Sequence, residues 1–142
     1  MTMLPKLRLG FLVADVYRLL RRQFQAERGD HALTQAQSRV LVYIARSEGV
    51  RQVELADVLE IKPITLTRLL DQLESLGLIE RRKSPADRRA FQLYLRPAAQ
   101  PYMEMFEQLS DVITARLLDG LTEEEVAVLM KALAHIRERL LA

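Results

Sequence analysis

Five cations lie close together in one short segment, and their chemistry suits an anionic surface. The stretch RRKSPADRRAFQLYLRP begins at Arg81, and five of its first nine residues are Arg or Lys. Residues 84–87 are turn-forming types. The alternation that follows predicts a half-buried strand, with Phe91, Leu93 and Leu95 anchored in the core. We therefore predict a cationic β-hairpin with a projecting tip.

The charged side chains of this hairpin have separate predicted roles. A narrow minor groove of duplex DNA attracts inserted Arg side chains, and Arg89 near the tip suits that position. Asp87 lies two residues earlier, so a charge-assisted pair would hold the Arg89 guanidinium in one orientation. The other cations are interpreted as phosphate contacts or a solvated edge: Arg81, Arg82, Lys83 and Arg88. The alternative is an ordinary turn whose edge charges prevent aggregation.

The segment before the hairpin predicts a helix with a second candidate contact surface. Pro63 suits the first turn of a helix, and leucines at helical spacing predict its buried stripe. Arg68 points away from that stripe, beside Asp71, which would repel phosphate. In a major groove an Arg pairs bidentately with guanine, and Thr contacts phosphates or thymine methyl groups. The candidate DNA contacts on this helix are Thr65, Thr67, Arg68 and Gln72. The alternative is a solvated face with Arg68 paired to an acid.

Two further helices are predicted upstream of this one. Thr34 and Gln37 have capping-box spacing, which predicts the start of a helix. A short apolar-periodic run over residues 53–59 predicts a second helix, which a tight turn separates from Pro63. Two short helices joined by a tight turn form a helix-turn-helix, and the hairpin after them makes it a winged helix.

Long amphipathic patterns flank the winged helix-turn-helix on both sides. Apolar residues at helical spacing predict a first helix over residues 6–27. Pro97 predicts the start of a fifth helix, with Pro101 displacing or kinking its first turn. Thr122 and Glu125 have capping-box spacing and predict a sixth helix. The first helix has a wide apolar stripe for so small a protein, which favours packing against a partner.

Composition excludes several classes of function. The chain has 142 residues and no Cys, so disulfides, thiolate zinc sites and Cys nucleophiles are excluded. His31 and His135 are too far apart to form a metal motif, and the sequence has no glycine-rich phosphate loop or nucleophile elbow. We predict no enzyme activity, no catalytic residue, no metal and no cofactor. No apolar run is long enough to span a membrane, and we expect a cytoplasmic protein.

The distribution of charge supports an anionic partner more than the net charge of +2 does. Residues 62–96 carry eight basic and four acidic residues, whereas residues 97–142 carry four basic and eight acidic ones. This asymmetry places a local anion-binding surface in the middle of the chain.

The segments TLTRLLDQLESLGLIERR and ADRRAFQLYL resemble the MarR family of bacterial transcription regulators, and within it the SlyA-like members. The resemblance extends from about Leu33 to Leu133. It implies a homodimer whose N- and C-terminal helices interlock. It also implies binding to pseudo-palindromic double-stranded DNA, with Arg68 and Thr65 in the major groove and the pair of Asp87 and Arg89 in the minor groove.

The resemblance also implies an effector, because many members release DNA when a small aromatic or phenolic anion binds. Arg18 matches an Arg of the first helix in the SlyA-like ligand region. In the second helix, Ser38 stands where the SlyA-like members have a Trp. Glu60 stands where the family has Gly, so we expect a differently shaped turn before the recognition helix. Arg96-Pro97 replaces a capping Thr.

The predicted fold class is mainly α with a small β-hairpin: a winged helix-turn-helix flanked by N- and C-terminal dimerisation helices. We predict one compact subunit with a dimerisation helix over residues 1–32, a DNA-binding region over 33–96 and dimerisation helices over 97–142. The predicted function is regulation of transcription, as a repressor or an activator. The alternatives are a winged-helix protein-interaction module without DNA binding, and a ligand carrier without an operator.

Overall fold

Six α-helices and one antiparallel β-hairpin make up the described part of the chain. The structure is a computed structural model that describes residues 3–29 and 33–142. The elements are α1 (Met3–Glu27), α2 (Gln35–Arg46), α3 (Gln52–Leu59), α4 (Pro63–Ser75), β1 (Ile79–Lys83), β2 (Phe91–Leu95), a short 3₁₀ helix (Pro97–Ala99), α5 (Gln100–Leu118) and α6 (Glu123–Leu141). The predicted fold class is confirmed. His31, considered above as a metal ligand, lies outside the described residues.

Local sequence signals determine where several helices begin. Thr34 Oγ1 accepts from the Gln37 amide at 3.1 Å, and the Gln37 side chain accepts from the Thr34 amide at 2.9 Å. The predicted capping box is therefore present at the start of α2. Thr122 and Glu125 form the same reciprocal pair before α6. Pro63 opens α4, where its missing N–H leaves no hydrogen bond unmade.

The two prolines after the hairpin displace the start of α5, as predicted. Residues Pro97–Ala99 form the 3₁₀ helix, and α5 begins only at Gln100, with Pro101 in its first turn. Pro cannot donate to a helix ladder, so both prolines lie where no donor is needed.

The turn between α3 and α4 has the conformation that glycine favours, although Glu60 occupies it. Glu60 has φ 54° and ψ 42°, in the left-handed region. Its amide donates to the Asp57 carbonyl at 3.1 Å, and the Ile61 amide donates to the Ala56 carbonyl at 3.1 Å. These two hydrogen bonds hold Glu60 in the left-handed conformation despite its side chain.

The core lies between α2, α3, α4 and the hairpin. Its fully buried side chains include Leu41, Ile44, Leu66, Leu70, Leu73, Ile79 and Leu93. The strands pair with Ile79 opposite Leu95 and Lys83 opposite Phe91. Phe91 is 38% exposed, so the prediction that it anchors β2 in the core is wrong. The Phe91 pair is the last of the ladder at its turn end, whereas Leu93 is buried and Leu95 is half-buried against the core.

The outer helices bury much less than the core. No residue of α6 is fully buried, and its apolar side chains Leu129, Met130 and Leu133 are exposed. Leu9, Leu12 and Val16 of α1 are more than half exposed. Among the described residues, no helix combines the length and the apolar character needed to cross a membrane.

Candidate nucleic-acid interface

Two of the four predicted contact residues on α4 fix the position of the helix. The Thr67 hydroxyl donates to the Pro63 carbonyl at 3.0 Å and accepts from Gln52 Nε2 of α3 at 2.9 Å. Gln72 Oε1 accepts from Gln37 Nε2 of α2 at 2.9 Å. The Thr67 hydroxyl is thus engaged within the protein, whereas Gln72 keeps its amide N–H groups for other partners.

Arg68 and Thr65 lie on the solvent side of α4. Both are exposed, and neither side chain has a hydrogen-bond or ion-pair partner among the described residues. The alternative in which Arg68 pairs with a nearby acid is therefore not seen, because the nearest acid on its face, Asp71, pairs with Arg81. An unpaired guanidinium on an exposed helix keeps all its donors free.

Arg81 joins the hairpin to α4. Its Nη2 lies 2.5 Å from Asp71 Oδ1 and 3.2 Å from Glu74 Oε1, and its backbone amide donates to Glu74 Oε2 at 3.3 Å. The hydrogen bond from Arg81 lowers the pKa of Glu74. The Arg81 side chain is only 18% exposed. Its interpretation as a phosphate contact or solvated edge is wrong, because its guanidinium faces two carboxylates of α4.

The ion pair with Arg81 also changes the electrostatic surroundings of Arg68. Arg81 shares its one positive charge between Asp71 and Glu74, so it offsets part of the negative charge that would repel phosphate beside α4. Arg68 then projects beside a carboxylate that is ion-paired, which weakens the repulsion of an approaching polyanion.

The wing tip is ordered by backbone hydrogen bonds. The Ser84 amide donates to the Ala90 carbonyl at 2.9 Å, and the Ala90 amide donates to the Asp87 carbonyl at 3.0 Å. Asp87 Oδ1 accepts from the backbone amide of Arg89 at 3.0 Å. The predicted pair between the Asp87 carboxylate and the Arg89 guanidinium is not formed, because the carboxylate binds the backbone instead. Asp87 therefore shapes the turn that presents Arg88 and Arg89, both exposed.

Arg82 is engaged along the hairpin. Its guanidinium lies 3.9 Å from the centre of the Tyr94 ring and pairs with Glu80. This cation–π contact keeps Arg82 against β2. Of the five cations in the segment, three leave their side chains unpaired among the described residues: Lys83, Arg88 and Arg89.

The loop after α2 supports the base of the wing through backbone hydrogen bonds. The Gly49 amide donates to the Leu93 carbonyl at 2.8 Å, and the Leu93 amide donates to the Val50 carbonyl at 3.0 Å. Gly49 has φ +87°, and a Cβ there would lie 3.3 Å from Tyr94 Oη. Glycine is needed at this position both for its backbone conformation and for the close approach of Tyr94.

A separate cavity of about 340 Å³ lies between α1, α2 and α5. Its described lining contains three cations, Arg21, Arg28 and Arg39, and no acidic residue. Ser38 Oγ and Arg28 Nε are buried without a hydrogen-bond partner. Arg18, the predicted ligand residue, does not line this cavity, since its exposed side chain faces Asp15 at 3.4 Å. The three lining arginines were not predicted, because their proximity arises only when the helices pack.

The geometry defines a winged-helix protein: α3 and α4 form the helix-turn-helix, and the hairpin tied to α4 through Arg81 forms the wing. The MarR family model matches residues 33–91, which contain α2, α3, α4, β1 and the wing tip. The chain is also similar to a mutant MarR from E. coli complexed with operator DNA. The two are 30% identical, with 96% of this chain and 98% of that chain covered and a TM-score of 0.72.

Two further solved structures have the same fold. A MarR crystal structure is 28% identical, with 94% of this chain and 90% of that one covered and a TM-score of 0.79. The transcriptional regulator SlyA is 22% identical, with 93% of each chain covered and a TM-score of 0.67. The chain belongs to the MarR family, and it has the fold of the family's DNA-binding regulators.

Proposed function

We propose that this protein regulates transcription by binding pseudo-palindromic duplex DNA as a homodimer. The observation that carries the proposal is the presence of unpaired guanidinium groups on two elements that Arg81 locks together. We assign Arg68 and Thr65 of α4 to base edges in the major groove. We assign Arg89 to the minor groove, and Arg88 and Gln72 to phosphates. Thr67 contacts DNA through its methyl group, or through its hydroxyl once that group gives up its hydrogen bonds to Pro63 and Gln52.

Exposed apolar faces on the outer helices support the homodimer. Leu12 and Val16 of α1 and Leu133 of α6 are exposed at helical spacing, and such faces mark interaction sites. We therefore propose residues 1–32 and 97–142 as the dimerisation regions and 33–96 as the DNA-binding region. A two-fold dimer grips two half-sites about one helical turn apart, which is ~10 base pairs.

Binding to duplex DNA from upstream of the protein's own gene tests this proposal against the protein-interaction alternative. Contact with six or more phosphates predicts an affinity loss of about 10³-fold or more between 50 and 200 mM salt. A shallow salt dependence, or no binding to this duplex, supports a winged helix used for protein contact. The operator complex of the E. coli relative favours the DNA-binding function.

We propose in addition that the cavity between α1, α2 and α5 binds a small aromatic or phenolic anion that modulates DNA binding. Its three arginines favour an anion, and its wall is mostly apolar, with Phe24 and Phe106 among the lining residues. Buried polar groups are normally hydrogen-bonded, so the open positions at Ser38 Oγ and Arg28 Nε suit an oxygen of the ligand. Arg18 lies outside this lining and has no assigned role.

A pair of matched probes tests the effector. Benzoate and benzamide have nearly the same shape but differ in charge. We expect benzoate to raise the melting temperature and benzamide to leave it unchanged at equal concentration, because only the anion pairs with the arginines. Equal shifts, or no shift with benzoate, contradict an anion site. The Arg28→Met variant should lose most of the benzoate effect, whereas Arg18→Met should keep it.

A further inference from the structure

Arg39 contacts two other helices and one ring of its own helix through a single guanidinium group. Its Nη1 donates to the carbonyl of Leu59 at 3.3 Å, and its Nη2 donates to the Tyr17 hydroxyl at 3.3 Å. The group also lies 5.7 Å from the centre of the Tyr43 ring. Arg39 itself belongs to α2 and lines the cavity. One side chain thus joins α1 to the end of α3 along the cavity wall.

The Leu59 carbonyl lies at a sensitive place in the winged helix. Leu59 is the last residue of α3, and the last carbonyls of a helix have no partner within the helix. A cation at this end interacts favourably with the partial negative charge there. The next residue is Glu60, whose left-handed conformation sets the direction of the chain into α4. Arg39 therefore acts on the turn that positions the recognition helix.

The other end of the contact lies on the helix proposed for dimerisation. Tyr17 is in the middle of α1 and is 47% exposed. Arg21, one turn later, lies 5.6 Å from the centre of the same ring but has no hydrogen bond to the helix-turn-helix among the described residues. The two cations share the cavity and the tyrosine, and only Arg39 reaches α3. Arg21 is therefore a matched control for Arg39.

We infer that Arg39 is a positioning residue that transmits the placement of α1 to the turn before the recognition helix. Movement of Tyr17 changes the support of the Leu59 carbonyl, and with it the freedom of Glu60 and Ile61. The effect on DNA affinity rests on the proposed function, but the link itself is a property of the free protein. An anion in the cavity competes for the same guanidinium, which gives the effector a direct route to the turn.

Hydrogen exchange of residues 57–66 tests the link without DNA or ligand. The amides of Glu60 and Ile61 report on the turn, since both donate within it at 3.1 Å. We expect Arg39→Met to speed their exchange at least about threefold, and Tyr17→Phe to speed it in the wild-type background. In the Arg39→Met background Tyr17→Phe should have no further effect. In the Arg39→Lys background Tyr17→Phe should also have no further effect, because Lys keeps the charge but not the two-armed donor.

Two outcomes of the exchange experiment would contradict the role of Arg39. Additive effects of Tyr17→Phe and Arg39→Met, or the same acceleration in Arg21→Met as in Arg39→Met, would overturn the inference. Duplex titration separates it from the proposed function: Arg39→Met should weaken binding about fivefold or more, and Arg18→Met, outside the cavity lining, should not. If the wild-type protein binds no duplex while the exchange results hold, the proposed function fails and the link stands. If duplex binding is normal and the exchange is additive, the link fails alone.

Discussion

The guanidinium of Arg81 and the carboxylate of Asp71 lie 2.5 Å apart, across the junction between β1 and α4. This contact, with the second acid Glu74, ties the wing to the recognition helix. It also means that the most buried cation of the basic segment serves the architecture of the protein, while cations further along the hairpin face solvent. Charge in the sequence alone did not separate these two roles.

Replacement of Arg81 should therefore affect stability. We expect Arg81→Met to lower the free energy of unfolding by about 1 kcal/mol at neutral pH, because its partners are partly exposed and water weakens the pairs. Denaturant unfolding measures this difference. Lys83→Met is the control, since Lys83 is on the same strand with no ion pair among the described residues, and it should change stability by less than about 0.5 kcal/mol. Equal effects of the two would contradict the role of Arg81.

The Arg81 contact should also depend on pH. The pKa of Glu74 is lowered from its ordinary 4.5 by the hydrogen bond from Arg81. A lowered pKa in the folded state gives stability that is complete above pH 4.5 and is lost as pH falls through the folded pKa. The difference in unfolding free energy between wild type and Arg81→Met should therefore shrink below pH 4.5. A difference that stays constant down to pH 3 or grows in acid would exclude this linkage.

Glu60 offers a test of backbone strain before the recognition helix. A non-glycine residue in the left-handed region costs about 1–2 kcal/mol, and Gly restores about 0.5–1 kcal/mol of chain entropy to the unfolded state. We expect Glu60→Gly to raise the free energy of unfolding by about 0.5–1 kcal/mol. Asp57→Gly, inside α3, should lower it by about 0.3 kcal/mol, the difference in helix propensity between Asp and Gly. A loss of stability in both variants would show that the Glu60 side chain makes a compensating contact.

Asp87 distinguishes a turn-shaping role from a charge pair. Its Oδ1 accepts from the Arg89 amide at 3.0 Å, and the Asn oxygen can accept the same hydrogen bond. We expect Asp87→Asn to keep or raise duplex affinity and Asp87→Ala to lower it, measured by titration at one salt concentration. An Asn variant as weak as the Ala variant would restore the interpretation in which the carboxylate pairs with the guanidinium.

The fold could be predicted to a large extent from local patterns. The Thr34–Gln37 and Thr122–Glu125 capping boxes and the role of Pro63 depend on residues within one turn of each other, so spacing alone identifies them. The contacts that define the site, in contrast, join residues that lie far apart in the sequence. Gln37 meets Gln72, and Arg39 meets both Tyr17 and Leu59, over long separations in the chain.

Such contacts have no signature in the sequence, because they depend on how whole helices pack. The cavity arginines were missed for this reason, and Arg18 was chosen from a resemblance at one position. Phe91 shows a related limit: alternation predicts which side of a strand a residue occupies, but not how far the strand extends beyond the core.

The proposed homodimer predicts a specific effect at α6. Leu133 is 44% exposed in the single chain, and we expect Leu133→Asp to shift the protein from dimer to monomer in sedimentation experiments at micromolar concentration, since a charge in an apolar interface is costly. Leu76→Asp is the control, because Leu76 is 54% exposed but lies at the end of α4, outside the proposed interface. A dimer that survives Leu133→Asp would place the interface elsewhere.

The central claim, that Arg68 of α4 reads a base pair in the major groove, is tested most directly by measuring base preference with and without Arg68. Wild-type protein and the Arg68→Ala and Arg89→Ala variants would be titrated with a set of duplexes that differ at single positions of a selected site. We predict that Arg68→Ala loses about 1–3 kcal/mol of discrimination at one base pair, and that Arg89→Ala weakens binding but keeps the discrimination at that base pair. Unchanged preference in Arg68→Ala would contradict the account.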